Sequence, residues 1–240
     1  MSSVSRLSVS RLQPLPLDAE RRPAPVYQVA PDWQFALPDS WAYRILKRLI
    51  DVAFSLCGLA LLLPLLPVVV LLIRLDSPGP VIFAQRRVGQ RGRQFTCYKF
   101  RSMVAGAEAM KSTLAELNEA SGPAFKIRDD PRITRVGAFL RRSSLDEVPQ
   151  LLNVLRGQMS IVGPRPQIPT EVELYEPWHR RRLEVKPGIT CLWQIAGRSH
   201  IGFDEWMRLD LEYLRRRSLQ LDLWIVLHTL PAVIARKGAY

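Results

Sequence analysis

A stretch without a single charged residue, from Val52 to Ile73, constrains the fold of this chain more than any other feature. Leu and Val dominate it, and it is long enough to cross a bilayer, which takes about 20 residues of helix. Pro64 and Pro67 lie near its middle, where each removes a helix hydrogen bond and clashes with the preceding turn. The segment is therefore predicted to be helical but broken.

The residues on both sides of this segment are basic: Arg44, Lys47 and Arg48 precede it, and Arg74, Arg86 and Arg87 follow it. The positive-inside rule then favours the cytoplasm for both ends. Two interpretations fit. The segment either enters the membrane, bends at the prolines and returns to the same face, or it is an ordinary kinked transmembrane helix.

The chain divides into three parts on composition. Residues 1–40 are rich in Ser, Arg and Pro and are predicted to be a flexible basic tail. Residues 41–76 are predicted to hold the membrane helix, and residues 77–240 are predicted to form one membrane-associated domain on the cytoplasmic side. Three cysteines without a CxxC pair indicate free thiols in a reducing compartment.

The strong positive charge implies a polyanionic partner. The chain has 34 Lys and Arg against 22 Asp and Glu, a net charge of +12. Such a partner could be nucleic acid, an anionic lipid surface or a phosphorylated substrate. Nucleic acid is disfavoured because aromatic residues are not interleaved with the basic ones and no zinc-finger spacing occurs. Walker loops, GxGxxG and HExxH are absent from the sequence, so phosphates would be bound without a glycine-rich cradle.

Periodicity predicts an α+β domain that is mostly helical. The predicted elements are a β-hairpin with strands at 81–85 and 94–100, a helix over 103–117, a short helix over 145–155, an extended Pro-Arg-Pro unit at 164–166, a helix over 204–217 and a C-terminal helix from about 221.

Two adjacent acids, Asp146 and Glu147, stand out in a basic stretch, RRSSLDEVPQLLNVLRG. Ser144 and Glu147 fit a capping box, so both acids could simply begin a helix. Pro149 makes the register uncertain, but every register puts the acids at a helix start. The helix dipole and the nearby Arg141 would keep Asp146 ionised. Such a carboxylate can attack phosphorus or hold Mg²⁺, so both interpretations stay open.

Two further residues suggest a site, and a third does not do so by itself. In a helix over 204–217, Asp210 has only apolar or aromatic neighbours, so it needs a partner or a function. Arg165 is fixed between two prolines, which suits a guanidinium that binds phosphate. Lys99 lies near the hairpin and would by itself be an ordinary solvated charge.

The joint pattern resembles the bacterial sugar transferase family, the monotopic polyprenol-phosphate phosphoglycosyl transferases. The matching pieces are KRLIDV before a proline-broken apolar helix, SPGPVIFAQRRVG, YKFRSM, DDPRITRVGAFLRRSSLDEVPQLLNVLRGQMSIVGPRP, KPGITCLWQIAGRS and LDLEYL. They run in the family's order from about residue 44 to 230.

This resemblance implies an activity. Members transfer a sugar-1-phosphate from a UDP-sugar to a polyprenyl phosphate such as undecaprenyl phosphate, release UMP and begin a surface glycan, for example an exopolysaccharide. They do so at the cytoplasmic face of the bacterial inner membrane. The short length resembles the exopolysaccharide-initiating members, whose common donors are UDP-galactose and UDP-glucose. No residue in the sequence indicates which of these two donors is used. A homodimer is an expectation from the family alone.

The resemblance also implies roles for residues. Asp146 matches the nucleophile that forms a covalent phosphosugar intermediate, and Glu147 matches its partner, implicated with Mg²⁺. Lys99 and Asp210 match positions needed for activity. The remaining matches are Arg141 and Arg165, expected to meet phosphate, and Pro64, which bends the re-entrant helix; Pro67 adds a second break.

Cys191 departs from the family, which usually has Gly at this position. A cysteine would be strained there if the backbone had a positive φ.

A second class of function also fits the composition. It is a non-enzymatic, membrane-attached basic module that assembles a polysaccharide complex or binds nucleic acid, with both acids acting only as caps.

Overall fold

The computed structural model describes residues 33–38, 40–119, 122–123, 125–196 and 201–234. Within these ranges the α-helices are α1 (Trp41–Leu62), α2 (Leu66–Asp76), α3 (Arg135–Arg142), α4 (Gln150–Leu155), α5 (Pro169–Glu173), α6 (Pro177–Arg180), α7 (Leu192–Ala196), α8 (Phe203–Arg216) and α9 (Leu219–Ile234). The strands are β1 (Ile82–Val88), β2 (Gln94–Phe100), β3 (Ser160–Val162) and β4 (Gly188–Thr190). The prediction of a mostly helical α+β chain with a small hairpin is confirmed.

The apolar segment forms two consecutive helices. A single 3₁₀ turn, Leu63–Leu65, separates the end of α1 from the start of α2. Pro64 and Pro67 each occupy one of the first two positions of a new helical segment, where a missing N–H costs little. In the described part of the chain, Trp41–Asp76 is the one helix long and apolar enough to cross a membrane.

Both halves of this segment contact the same folded domain. On α1, Asp51 Oδ1 accepts hydrogen bonds from Ser160 Oγ and from the Ile161 N–H, both at 3.0 Å. At the end of α2, Asp76 Oδ2 accepts one from the Val136 N–H at 2.9 Å. The opposite face is exposed and apolar, and it includes Leu61, Leu63, Leu71 and Leu75. The buried positions of the segment are Asp51 and Ser55 on α1 and Val69 and Ile73 on α2, so each half packs against the domain at a few positions only.

The hairpin positions Lys99. β1 and β2 pair antiparallel with Phe83 opposite Lys99. The second strand matches its prediction, whereas the first is longer than predicted. The fully buried Asn153 of α4 holds the hairpin: its Nδ2 donates to the Thr96 carbonyl at 2.7 Å and its Oδ1 accepts from the Tyr98 N–H at 3.1 Å. This contact places Lys99 beside the turn that carries the two acids.

The helix predicted over 103–117 does not form. Ala109–Lys111 and Ala115–Leu117 are separate 3₁₀ turns. Gly106 has a φ of +79°, which a right-handed helix cannot accommodate, and Met103 pairs with Ile133 in an isolated antiparallel bridge. The prediction was wrong because this long-range pairing outweighs the local helical spacing.

Part of the predicted tail contacts the domain. Trp33, Phe35 and Leu37 pack against the hydrophobic core formed by α8 and α9. Arg181 stacks over the Phe35 ring, with 4.8 Å between guanidinium carbon and ring centroid, and donates to the Phe35 carbonyl at 2.7 Å. The rest of the predicted tail, 1–32 and 39, lies outside the described residues.

β3 and β4 form a parallel pair beneath α8 and α9, with Val162 opposite Thr190. Gly163 and Gly188 bring the two backbones into close approach. A Cβ atom on Gly188 would overlap the Gly163 nitrogen and lie 2.5 Å from the Gly163 oxygen, so only glycine fits there. This pair carries the Pro-Arg-Pro unit, which begins directly after Gly163.

Candidate active site

The two adjacent acids lie in a 3₁₀ turn, Leu145–Glu147, that precedes α4. The single helix predicted over 145–155 is wrong, because α4 begins only after Pro149. Ser144 has a left-handed backbone, with a φ of 56° and a ψ of 14°, and its side chain makes no capping hydrogen bond. A side-chain cap requires an extended backbone, so the predicted Ser144 cap is also wrong. Capping therefore does not explain the acidic pair.

Two cations reach this pair from different parts of the chain. Lys99 Nζ, on β2, lies 2.7 Å from Glu147 Oε1 and 3.6 Å from Asp146 Oδ2. Arg165 Nη2, from the Pro-Arg-Pro unit, lies 2.5 Å from the same Glu147 oxygen. Both acidic side chains are largely buried, at 9% exposed for Asp146 and 12% for Glu147. The fold thus brings four of the predicted site residues together.

The two carboxyl groups differ in their electrostatics. Burial by itself would raise the pKa of Glu147, but Arg165 and Lys99 outweigh it and hold this pKa below its usual range. Burial raises the pKa of Asp146, and the Glu147 carboxylate adds to that effect, while Lys99 and Arg141 oppose it. The sequence predicts instead that the helix dipole and Arg141 keep Asp146 ionised, which would correspond to a lowered pKa. Desolvation is the larger effect because the side chain is enclosed.

Arg141 lies in the last turn of α3, close to the acids but not paired with them. Its Nε donates to Ser102 Oγ at 2.9 Å. Burial lowers the pKa of Arg141, and the charge of Asp146 opposes this effect. Among the described contacts, Arg141 makes no ion pair with either acid, so it keeps a positive charge near Asp146 for a further anion.

Asp210 lies apart from this cluster, in the middle of α8. It is 1% exposed, and Arg182 Nη2 lies 2.6 Å from its Oδ2. Burial raises the pKa of Asp210 to about 6, and Arg182 only partly opposes it. The partner expected for this carboxylate is therefore Arg182. This residue was not predicted from the sequence, because it belongs to a run of three arginines, 180–182, of the kind that usually lies on a solvated surface.

Cys191 is not strained. It is buried, its backbone is outside the positive-φ region, and its Sγ lies 3.1 Å from Gln194 Oε1, to which it donates. The departure from the glycine expected here is thus accommodated by the local backbone.

The acidic pair can contribute to a metal site but cannot complete one. The described residues contain no group of three or more His, Cys, Asp or Glu side chains placed to hold a metal ion. Mg²⁺ commonly takes one or two protein carboxylates, substrate phosphate oxygens and water. Asp146 and Glu147 would supply the two protein carboxylates of such a site.

Comparison with known proteins identifies the family of this chain. The model of the family described as "Bacterial sugar transferase" matches residues 42–236. The chain belongs to the bacterial sugar transferase family. The matched region of this family member includes Lys99, Arg165 and the acidic pair Asp146 and Glu147.

Three curated relatives show how far the similarity extends. The galactosyl transferase CpsE of Streptococcus agalactiae is 46% identical over 200 residues, which cover 83% of this chain and 44% of CpsE. The exopolysaccharide production protein ExoY of Sinorhizobium fredii is 40% identical, covering 82% of this chain and 88% of ExoY. The undecaprenyl-phosphate galactose phosphotransferase of Salmonella typhimurium is 42% identical, covering 82% and 42%. The family member described here thus spans less than half of two of these relatives and most of ExoY.

Proposed function

We propose that this protein transfers a hexose-1-phosphate from a UDP-sugar to undecaprenyl phosphate and releases UMP, as a first membrane step in exopolysaccharide synthesis. The observation that carries the proposal is the buried Asp146–Glu147 pair, matched by Lys99 and Arg165. The names of relatives agree with it. Those from Salmonella and Escherichia coli are an undecaprenyl-phosphate galactose phosphotransferase and a UDP-glucose:undecaprenyl-phosphate glucose-1-phosphate transferase.

In the first half-reaction, an oxygen of the Asp146 carboxylate attacks the phosphorus that bears the sugar. The bond from that phosphorus to the bridging oxygen breaks, and UMP leaves with the electron pair. The product on the protein is an aspartyl phosphosugar. Burial supports this role because a carboxylate with a raised pKa is the more basic nucleophile once it is deprotonated.

In the second half-reaction, a phosphate oxygen of undecaprenyl phosphate attacks the same phosphorus. The bond between phosphorus and Asp146 breaks, so the carboxylate is regenerated and the sugar-1-phosphate becomes a lipid-linked diphosphate. Two in-line displacements of this kind use one site for a soluble donor and a membrane acceptor, because UMP leaves before the acceptor phosphate enters.

The cations make an anionic nucleophile compatible with an anionic substrate. Lys99 and Arg165 neutralise Glu147, so that only the charge of Asp146 opposes the approach of a diphosphate. Arg141, which makes no ion pair with the acids among the described contacts, would meet phosphate oxygens. A Mg²⁺ ion held by Asp146, Glu147 and the diphosphate would add electrostatic stabilisation of the charge on the leaving UMP.

The membrane arrangement is proposed to be re-entrant, with the catalytic domain on the cytoplasmic face of the bacterial inner membrane. Two contacts support this proposal: Asp51 on α1 and Asp76 at the end of α2 both accept hydrogen bonds from the same domain. The exposed apolar face of α1 and α2, together with Phe139 of α3 and Leu152 of α4, would enter the lipid. The net charge of +12 favours anionic lipid at the surface.

The function is tested by assaying UMP release from a panel of UDP-sugars with purified protein, Mg²⁺ and undecaprenyl phosphate. We expect sustained release with one or two donors and its loss with EDTA. Without the acceptor, release should stop at about one UMP per protein, with a phosphosugar adduct visible by mass spectrometry. Absence of UMP with every donor would instead favour the non-enzymatic alternative.

The membrane arrangement is tested by labelling introduced cysteines in intact cells. In a variant without Cys57, Ala42→Cys and Pro78→Cys flank the segment at exposed positions. We expect both to resist a membrane-impermeant maleimide until the cells are opened, because both ends face the cytoplasm. Labelling of one flank from outside would establish a transmembrane helix instead.

A further inference from the structure

Arg182 is a buried cation that the proposed chemistry does not use. Arg182 is only 3% exposed, and its guanidinium contacts groups in the interior of the domain. A cation buried to this degree is costly unless it is paired and hydrogen-bonded, so its contacts indicate its role.

We propose that Arg182 is a positioning residue, which holds the backbone of Arg165 in place, and that Asp210 acts on the active site through Arg182. This inference rests on the proposed function for its catalytic consequence. The physical link itself, from Asp210 to Arg182 to Arg165, consists of contacts in the fold.

The Pro-Arg-Pro unit can be held mainly through its carbonyl groups, because a proline has no N–H to donate. Four successive carbonyls accept hydrogen bonds from the surrounding domain. Their donors are the Gly188 N–H to Pro164 at 3.0 Å, Arg182 Nη2 to Arg165 at 2.7 Å, Arg87 Nη1 to Pro166 at 2.6 Å and the Val88 N–H to Gln167 at 2.9 Å. The bond from Arg182 is the one made to Arg165 itself.

Arg182 is in turn held by its own surroundings. Its Nη1 donates to the Tyr175 hydroxyl at 2.5 Å, and its Nη2 lies 2.6 Å from Asp210 Oδ2. Its guanidinium carbon lies 5.3 Å from the centroid of the Trp206 ring and 5.8 Å from that of Tyr175. Asp210 therefore supplies the charge that allows a guanidinium to remain buried behind Arg165.

The link reaches the acids without a direct contact. Arg182 bonds to the Arg165 carbonyl, and the Arg165 guanidinium bonds to Glu147, which also binds Lys99. A displacement of Arg165 would leave the Glu147 charge less well neutralised. Since a misplacement of about 1 Å can lower a rate about 100-fold, the effect on turnover can be large.

The test is a pair of double-mutant cycles. In UMP release, Arg182→Lys and Asp210→Asn should each lower kcat by about 10-fold to 100-fold, with KM for the UDP-sugar changed less than about threefold. In an Arg165→Ala background, Arg182→Lys should have less than about a threefold effect, because the residue that it positions is gone. Equal effects in both backgrounds would overturn the proposal.

A second cycle, read as the thermal midpoint Tm, does not depend on activity. Arg182 does not contact Glu147, so the Tm shifts of Arg182→Lys and Glu147→Gln should be non-additive only if Arg165 couples them. Asp222→Asn is the matched control: Asp222 is another buried acid, paired with Lys47 at 2.8 Å, and its shift should add to that of Glu147→Gln. Additive shifts for Arg182→Lys would refute the link.

The outcomes separate the two proposals. If no donor yields UMP but the Tm shifts of Arg182→Lys and Glu147→Gln are coupled, the proposed function fails and the positioning link stands. If UMP is released and both cycles are additive, the function stands and the link fails.

Discussion

Asp146→Asn is expected to lower UMP release by more than about 1,000-fold and to abolish the phosphosugar adduct, because the amide cannot attack phosphorus. The variant should fold at least as well as the wild type. Burial raises the pKa of Asp146, so its ionised form opposes folding at neutral pH, and a neutral amide of the same shape removes that cost. The measurements are UMP release, intact-protein mass and Tm.

Glu147→Gln is the informative control for this prediction. Glu147 has a lowered pKa because Arg165 and Lys99 stabilise its charge, so its ionised form favours folding above the unfolded pKa and that contribution is lost as pH falls. Removing the charge leaves two partly buried cations without their shared partner. We expect Tm to fall for Glu147→Gln and not for Asp146→Asn. An Asp146→Asn variant that still forms the adduct would refute the nucleophile assignment.

Gly188→Ala is expected to destabilise the protein by about 3 kcal/mol, because its Cβ would overlap a backbone rather than a side chain that can move. The new atom would overlap the Gly163 nitrogen and lie 2.5 Å from the Gly163 oxygen. The overlap forces β3 and β4 apart at the point where the Gly188 N–H donates to the Pro164 carbonyl at 3.0 Å. Urea unfolding measures the loss.

Gly106→Ala is the matched control for this substitution. Gly106 has a φ of +79°, and, apart from its two chain neighbours, no atom of the described residues lies within 4 Å of a methyl group added there. Its cost is therefore backbone strain alone, about 1 kcal/mol. Equal losses for the two variants would show that the close approach of the two backbones does not limit stability.

The elements that could be predicted from the sequence are those that local pattern determines. The second strand of the hairpin and the helix that carries Asp210 lie where alternation and helical spacing put them, to within a residue. The helix predicted over 103–117 does not form because Met103 pairs with Ile133, which is far away in the sequence. The helical spacing of apolar residues carries no information about such a long-range contact.

In the candidate site, too, local features could be predicted from the sequence and contacts between distant segments could not. The sequence marks Asp146 and Glu147 as unusual and Arg165 as rigid, because adjacent acids in a basic stretch and flanking prolines are local features. Only the tertiary structure decides that Lys99 and Arg165 share one oxygen of Glu147, since three separate segments must meet for this to happen. The role of Ser144 likewise depends on its backbone angle.

The sequence by itself determined that a proline-broken apolar segment is joined to a basic domain with an acidic pair and an isolated Asp210. The tertiary structure alone decided which acid is neutralised, which is left more basic, and that Asp210 pairs with Arg182 behind Arg165. Charge pairing and burial depend on distances between segments remote in the chain, and those distances are set by packing. A pattern along the sequence records which groups are present, but not which of them are enclosed together.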